Sequence, residues 1–228
     1  KSLILRELTE MEIEDIFPMW DKLSADEKTL LKSHALLRQA KKGDILHSGS
    51  ADCVGLFVIQ TGMLRAYINS SEGREVTLYR LFEGDICLFS ASCVLSSVSL
   101  DIFIQAEKDS EFWLIPPNVY KSLMESSAAV AGYTNKIMTE RFAEVMWLID
   151  KILFSSFDRR LADFILNESS IEQSDTITIT HEKIANHTGT AREVVTRMLK
   201  YFQLEGIVEL SRGKIKITDY KKLADLSK

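Results

Sequence analysis

Thr180-His181-Glu182-Lys183-Ile184-Ala185-Asn186-His187-Thr188-Gly189-Thr190-Ala191-Arg192-Glu193-Val194-Val195-Thr196-Arg197-Met198-Leu199-Lys200 divides into two helical runs about a glycine. With one turn every ~3.6 residues, the second run sets Arg192, Thr196, Lys200, Glu193 and Arg197 within one arc of about 140°. Val194, Val195, Met198, Leu199 and Phe202 fill the opposite side, so one face packs while the other stays bare. Thr190-x-x-Glu193 has capping-box spacing, and Gly189 supplies the permissive backbone that a tight turn needs. Thr180 stands where the N-cap of the first helix belongs, with Ile184 and Ala185 as its packing face. Helix-turn-helix spacing of this kind presents a polar face to the major groove of DNA. Arginine pairs bidentately with guanine O6 and N7, and glutamate accepts from cytosine N4, each worth roughly 1–3 kcal/mol of discrimination. Arg192, Glu193, Thr196 and Arg197 are therefore the expected base readers, and Lys200 is expected to reach phosphate. For the charges alone, a solvated and mutually ion-paired face is the competing reading.

The residues that follow favour the DNA reading. Gly206 suits the position just past a helix end, and Ile207–Leu210, Ser211-Arg212-Gly213 and Lys214–Ile217 read as strand, tight turn and strand. A winged helix-turn-helix results, with Arg212 and Lys214 at the wing tip as candidate phosphate contacts. A surface hairpin carrying bases for solubility is the equal alternative.

The 228 residues suffice for two modest domains, and 46% hydrophobic with 27% charged residues describes a globular protein without a run long enough to span a membrane. The first residues form no basic-then-apolar leader, so the expected compartment is the cytoplasm. A net charge of −5 counts against a nucleic-acid partner, yet it is unevenly spread. From Ser155 onward there are 12 Lys and Arg against 11 Asp and Glu; the remainder has 16 against 22. Only the C-terminal part suits an approach to phosphate, with modest nonspecific affinity. Cys53, Cys87 and Cys93 are too few and scattered for a disulfide framework and are expected to be buried thiols, a redox-sensing thiol being the alternative.

Toward the N-terminus, Ser24-Ala25-Asp26-Glu27 is a capping box opening a helix expected to run through about Leu37. Gly55–Ile59, Met63–Ile68, Val76–Leu81 and Asp101–Ala106 are short, branched or aromatic, and separated by turn residues, the pattern of a small antiparallel barrel or sandwich. Pro116-Pro117 ends the strands and opens helix. Residues from about Ala128 to Phe154 read as one long helix, on which Met138, Phe142, Val145, Ile149 and Ile152 recur at steps of four and three. That is the seam of a helix packing along a partner, and a homodimer is expected. The fold class is α+β, with domains expected at 1–126 (sensory barrel), 127–154 (dimerisation helix) and 155–228 (winged helix-turn-helix).

This order of parts resembles the Crp/Fnr superfamily of bacterial transcription regulators over nearly the whole chain, most specifically in Gly189–Lys200 followed by Glu205-Gly206-Ile207-Val208. Lys42-Gly43-Asp44, Gln60-Thr61-Gly62 and Phe82-Glu83-Gly84-Asp85 look like the turns of the family's sensory β-roll, a jelly-roll-like domain. The resemblance implies Arg192 and Glu193 as readers of a G and a C, Arg197 as a third base reader, and Thr180, His181 and Thr190 beside phosphate. It implies a palindrome with TGTGA-like half-sites, and RNA polymerase as a further partner through the loop Ser70–Glu75. Ala191 departs from the family's serine at a phosphate contact.

The sensory half departs further. Cyclic-AMP-binding relatives carry a Gly-Glu pair and then an arginine after the Gly84-Asp85 type of turn; here Ile86–Leu100 has neither. A buried phosphate lacking a cation is costly, so no cyclic nucleotide is expected. The cysteine-rich N-terminal segment of oxygen-sensing relatives is missing, which argues against a [4Fe–4S] cluster. Gly84, Asp85, Ile86, Cys87, Cys93, Val145 and Met146 are the expected effector-pocket residues, apolar and hydroxyl-rich enough for an uncharged or aromatic ligand. Haem is a further family option, with His47, Cys87 and Cys93 as the nearby candidate ligands. Two other functions compete: a cupin-like metal enzyme, which the scattered His34, His47, His181 and His187 disfavour, and a regulatory module acting on a protein partner, which leaves the winged unit unexplained.

Overall fold

The computed structural model describes residues 11–49, 53–90 and 101–228. The chain divides into two units: Lys1–Ile68 with Leu78–Glu144, and Asn69–Thr77 with Val145–Lys228.

In the first unit, α1 (Ile13–Ile16) and a 3-10 turn (Trp20–Lys22) precede α2 (Ala25–His34). The Ser24 capping box forms as its spacing predicts: the Glu27 carboxylate accepts from the Ser24 amide at 2.9 Å, and the Ser24 hydroxyl accepts from the Glu27 amide. The helix stops three residues before Leu37, however, because Leu36–Ala40 is β1, hydrogen-bonded along β8 (Ser110–Ile115). Backbone pairing there outweighs the helical continuation that the sequence suggests.

The strands make two antiparallel sheets. One has the order β1-β8-β3-β6, with β3 at Leu56–Thr61 and β6 at Ile86–Cys87. The other is β2-β7-β4-β5, with β2 at Ile45–Ser48, β4 at Leu64–Asn69, β5 at Glu75–Leu81 and β7 at Ile102–Ala106. The four expected strands are β3, β4, β5 and β7. Phe57, Ile59, Leu64, Ala66, Leu81, Ile104 and Phe112 form one core of this roll. At Gly62, a Cβ would lie 2.3 Å from the Ser110 hydroxyl with φ at +94°, so only glycine fits the β3–β4 turn.

Pro117 occupies the first position of α3 (Pro117–Ser126), where its missing N–H costs nothing. The Tyr120 hydroxyl donates to Thr134 Oγ1 at 2.6 Å, and Thr134 in turn donates to the Val130 carbonyl at 2.8 Å. Burial pushes the Tyr120 phenol up to about 12. This chain of bonds joins α3 to α4, which spans Ala128–Phe154 as expected. Val130, Thr134 and Ile137 form the buried stripe of α4, and Met138 packs on the same core. Val145 and Ile152 are half-buried, whereas Phe142 and Ile149 are exposed together with Met146, Trp147, Leu153 and Phe154.

The second unit holds α5 (Phe157–Glu172), β9 (Thr176–Thr178), α6 (His181–Thr188), α7 (Arg192–Leu204), β10 (Val208–Ser211), β11 (Lys214–Ile217) and α8 (Tyr220–Leu226). β11 lies between β10 and β9 in an antiparallel sheet. Leu161, Ile165, Ile184, Val195, Leu199, Phe202 and Ile215 share one core, so α7 buries the face that its periodicity predicts. Arg160 donates to the carbonyls of Ile152 and Ser155 at 3.1 and 3.0 Å, satisfying groups that the end of α4 leaves open. On α6, Asn186 donates to the Glu75 carboxylate at 3.1 Å and His187 Nδ1 lies 2.9 Å from the Thr77 hydroxyl, which ties Asn69–Thr77 into this unit.

The expectation of three reduced thiols needs correction. Cys53 is disulfide-bonded, a pairing that the scattered spacing of the cysteines does not reveal. Cys87 is a buried free thiol whose pKa burial pushes up. Cys93 lies outside the described residues.

Candidate DNA-reading face

The turn between α6 and α7 decides where the polar side chains point. Thr180, in extended conformation, accepts from the Lys183 amide at 3.2 Å and caps α6. Loss of this cap makes a direct prediction: Thr180→Ala lowers the stability of the winged unit by about 1 kcal/mol, read by chemical denaturation. Gly189 is left-handed at φ +63°, and the Thr190 amide donates back to the Ala185 carbonyl at 3.1 Å. The chain therefore spends Thr190 on closing α6. The cap of α7 falls on Ala191, which has no side chain able to accept, and the expected Thr190–Glu193 capping box does not form. Thr190 itself is half-buried in the turn.

On α7, Arg192, Glu193, Arg197 and Lys200 are exposed, and among the described residues none of them is held in a salt bridge. The competing picture of a mutually paired charged face is thus not what the fold builds. Thr196 differs from its neighbours: it is half-buried, donates to the Arg192 carbonyl at 3.0 Å and lies 2.9 Å from His181 Nδ1. Its hydroxyl is engaged within the protein. Burial, and then the Arg192 guanidinium, hold the His181 pKa below the ordinary histidine value.

The wing forms as read. Ser211 pairs with Lys214 across a turn in which Gly213 is left-handed at φ +73°, and Arg212, Lys214 and Lys216 are exposed. An open cleft of about 510 Å3 is lined by Thr180, His181 and Arg192 from the helices and by Arg212 and Lys214 from the wing. Expected phosphate contacts from two separate segments, together with the expected base reader Arg192, therefore meet at one surface. Glu193, Arg197 and Lys200 continue along α7 outside this cleft's lining. The arrangement offers bidentate and point-charge donors side by side, the combination that positions a protein on the DNA backbone while reading base edges.

Within the sensory unit, Gly84 and Asp85 form a tight turn in which the Asp85 carboxylate accepts from the Phe82 amide at 2.8 Å. Ile86 and Cys87 follow as the buried strand β6. Arg141, absent from the expected site, reaches this region: its guanidinium lies 4.7 Å over the Tyr79 ring, bonds Glu144 at 2.8 Å and stands 3.7 Å from Asp85. The signal was its place on α4, four residues beyond Ile137 on the stripe that faces the roll. His47 is buried in β2. Val145 is half-buried and Met146 exposed on α4.

An antiparallel roll, a long helix and a winged helix-turn-helix with a bare basic recognition face define a DNA-binding transcription regulator. Residues 37–127 match the cyclic nucleotide-binding domain family and residues 159–226 the Crp-like helix-turn-helix domain. The chain is 52% identical to a crystal structure of a putative transcriptional regulator of the Crp/Fnr family from Eubacterium rectale, with a TM-score of 0.92, covering 94% of this chain and 99% of that one. It is 24% identical to the cyclic AMP receptor protein of Thermus thermophilus, over 92% of this chain and 96% of the relative. It is 28% identical to the fumarate and nitrate reduction regulatory protein of Yersinia pestis, over 82% of this chain and 76% of the relative. The chain belongs to the Crp/Fnr family. It is a DNA-binding regulator and not an enzyme, which removes the cupin-like reading.

Proposed function

We propose that the protein acts as a homodimer on a palindrome with TGTGA-like half-sites, and that an effector other than cyclic AMP sets its affinity. The observation that carries this reading is the exposed Arg192, Glu193, Arg197 and Lys200 face of α7, whose opposite face is fixed in the domain core. Arg192 reads a guanine, Glu193 the cytosine of a neighbouring pair, and Arg197 a third base, while Thr180, Arg212 and Lys214 position the domain on phosphate. The exposed apolar stripe Phe142, Met146, Ile149 and Leu153 on α4 supports the dimer, since such a run on a helix marks an interface. A two-fold axis then sets two recognition helices into successive major grooves, about 34 Å apart.

The sensory unit fits a cyclic phosphate poorly. After the Gly84-Asp85 turn, Ile86, Cys87, Leu88 and Phe89 are all buried apolar groups. The Arg141 guanidinium already faces the Glu144 and Asp85 carboxylates, so a phosphate would have to displace them. The effector is therefore an uncharged or aromatic molecule, or a change of redox state. Acting on DNA places the protein in the cytoplasm, with RNA polymerase met through Ser70–Glu75. In a competition assay with reduced and oxidised protein, a TGTGA-type palindrome should displace a bound duplex at far lower concentration than scrambled DNA. Equal displacement by both in either state rejects the target assignment.

A further inference from the structure

We propose that His181 is a proton-linked DNA contact: it is neutral in the free protein, with Nδ1–H held by Thr196, and takes up a proton when a DNA phosphate meets Nε2. The inference rests on the DNA-reading role of this face and assigns a chemical state to one of its contacts.

The local hydrogen bonds fix the tautomer. Thr196 has one hydroxyl proton, and its Oγ1 donates that proton to the Arg192 carbonyl at 3.0 Å. His181 Nδ1, 2.9 Å from the same Oγ1, must then be the donor. Nε2 of the neutral ring consequently carries a lone pair. A lone pair repels a phosphate oxygen, so the neutral ring can hold Thr196 but cannot bind the backbone. Protonation converts Nε2 into a charged donor without disturbing the bond to Thr196.

The surroundings keep the free ring neutral and let DNA reverse that. His181 opens α6, where the helix dipole disfavours a cation, and Arg192 of α7 adds positive charge against it. Of the other charged groups lining the same cleft, Arg212 and Lys214 of the wing are positive and Glu182 of α6 is negative. A phosphate entering this cleft brings the negative charge that tips the balance. The pKa of the bound state then exceeds that of the free state, so affinity is highest below the free-state pKa and falls as pH rises through the bound-state pKa. Thr196 is a positioning residue in this scheme, and His181 makes the contact.

Because the contact is to phosphate, the test needs no knowledge of the target sequence or the effector. Fluorescence anisotropy of the full-length protein with a 30-base-pair duplex of arbitrary sequence, at low and constant ionic strength, is measured between pH 5.5 and pH 8.5. Wild-type Kd should rise with pH by up to about tenfold per unit per protomer across the transition, the limit for one proton. His181→Gln should lose that dependence and bind at all pH values as wild type binds at high pH. His181→Arg, a permanent cation, should bind pH-independently and as tightly at pH 8.5 as wild type at low pH. Thr196→Val should keep the dependence and move its midpoint. Nitrogen NMR shifts of the wild-type ring should report the Nδ1–H tautomer without DNA. Binding whose pH dependence is absent in wild type or unchanged in His181→Gln overturns the proposal and leaves the DNA reading standing, as does an Nε2–H tautomer. Failure to bind any duplex at any pH overturns the DNA reading and the proposal with it.

Discussion

Arg192→Ala is expected to weaken binding to the cognate palindrome roughly five- to 150-fold per half-site, the equivalent of about 1–3 kcal/mol for one bidentate pair. At pH 8.5, above the proposed His181 transition, the loss should be confined to duplexes carrying the guanine that Arg192 reads; on duplexes already substituted there, variant and wild type should bind alike. The structural ground for this is that the Arg192 side chain is exposed and unpaired, so its removal takes no internal support from α7, while its backbone carbonyl still accepts from Thr196. Anisotropy titrations across a set of single-base variants measure it. A uniform loss on every sequence would mean that Arg192 only neutralises phosphate, as Lys200 is expected to do.

The second large effect lies on α4. Ile149→Asp combined with Leu153→Asp places two carboxylates on a stripe that is already exposed in the single chain, at 43% and 66%, so the fold of each chain should survive. If the stripe is the dimer seam, two charges desolvated against their symmetry mates prevent association. Light scattering should then show a monomer with an unchanged circular dichroism spectrum. Palindrome affinity should fall by about 10²–10⁴, because the second half-site no longer benefits from tethering, whereas a single half-site should bind as before. A variant that remains dimeric places the interface elsewhere.

The elements legible in sequence were those with a long or repeated signal. Helix α4 runs for 27 residues without a proline and with a single glycine, Gly132, and its limits fall where composition places them. The wing is written in the alternation of Lys214-Ile215-Lys216-Ile217 about Gly213, and α7 in its two-faced wheel. Strands β1, β2, β6, β8 and β9 escaped because they run for only two to six residues and derive their stability from pairing with distant segments, which no local pattern records. Helix α5, unread, mixes Asp, Asn and Ser with its apolar positions and gains its identity from the shared core with α6 and α7. Within the site, the residue types were readable and their partnerships were not. The Thr190 capping box matched a motif, yet the left-handed turn at Gly189 consumed Thr190. His181 and Thr196 are fifteen residues apart, and only the crossing of α6 over α7 brings imidazole and hydroxyl together. Arg141 likewise acquires its meaning from Tyr79, Asp85 and Glu144, which the roll and α4 assemble around it.

These two expectations share the claim that α7 reads DNA in symmetric pairs. Selection of bound duplexes from a random pool, carried out with reduced and with oxidised full-length protein, tests that claim most directly. The account predicts enrichment of an inverted repeat of TGTGA-like half-sites whose centres lie one helical turn apart, in at least one redox state. A pool that stays random in both states, or that converges on a single asymmetric site, would contradict it.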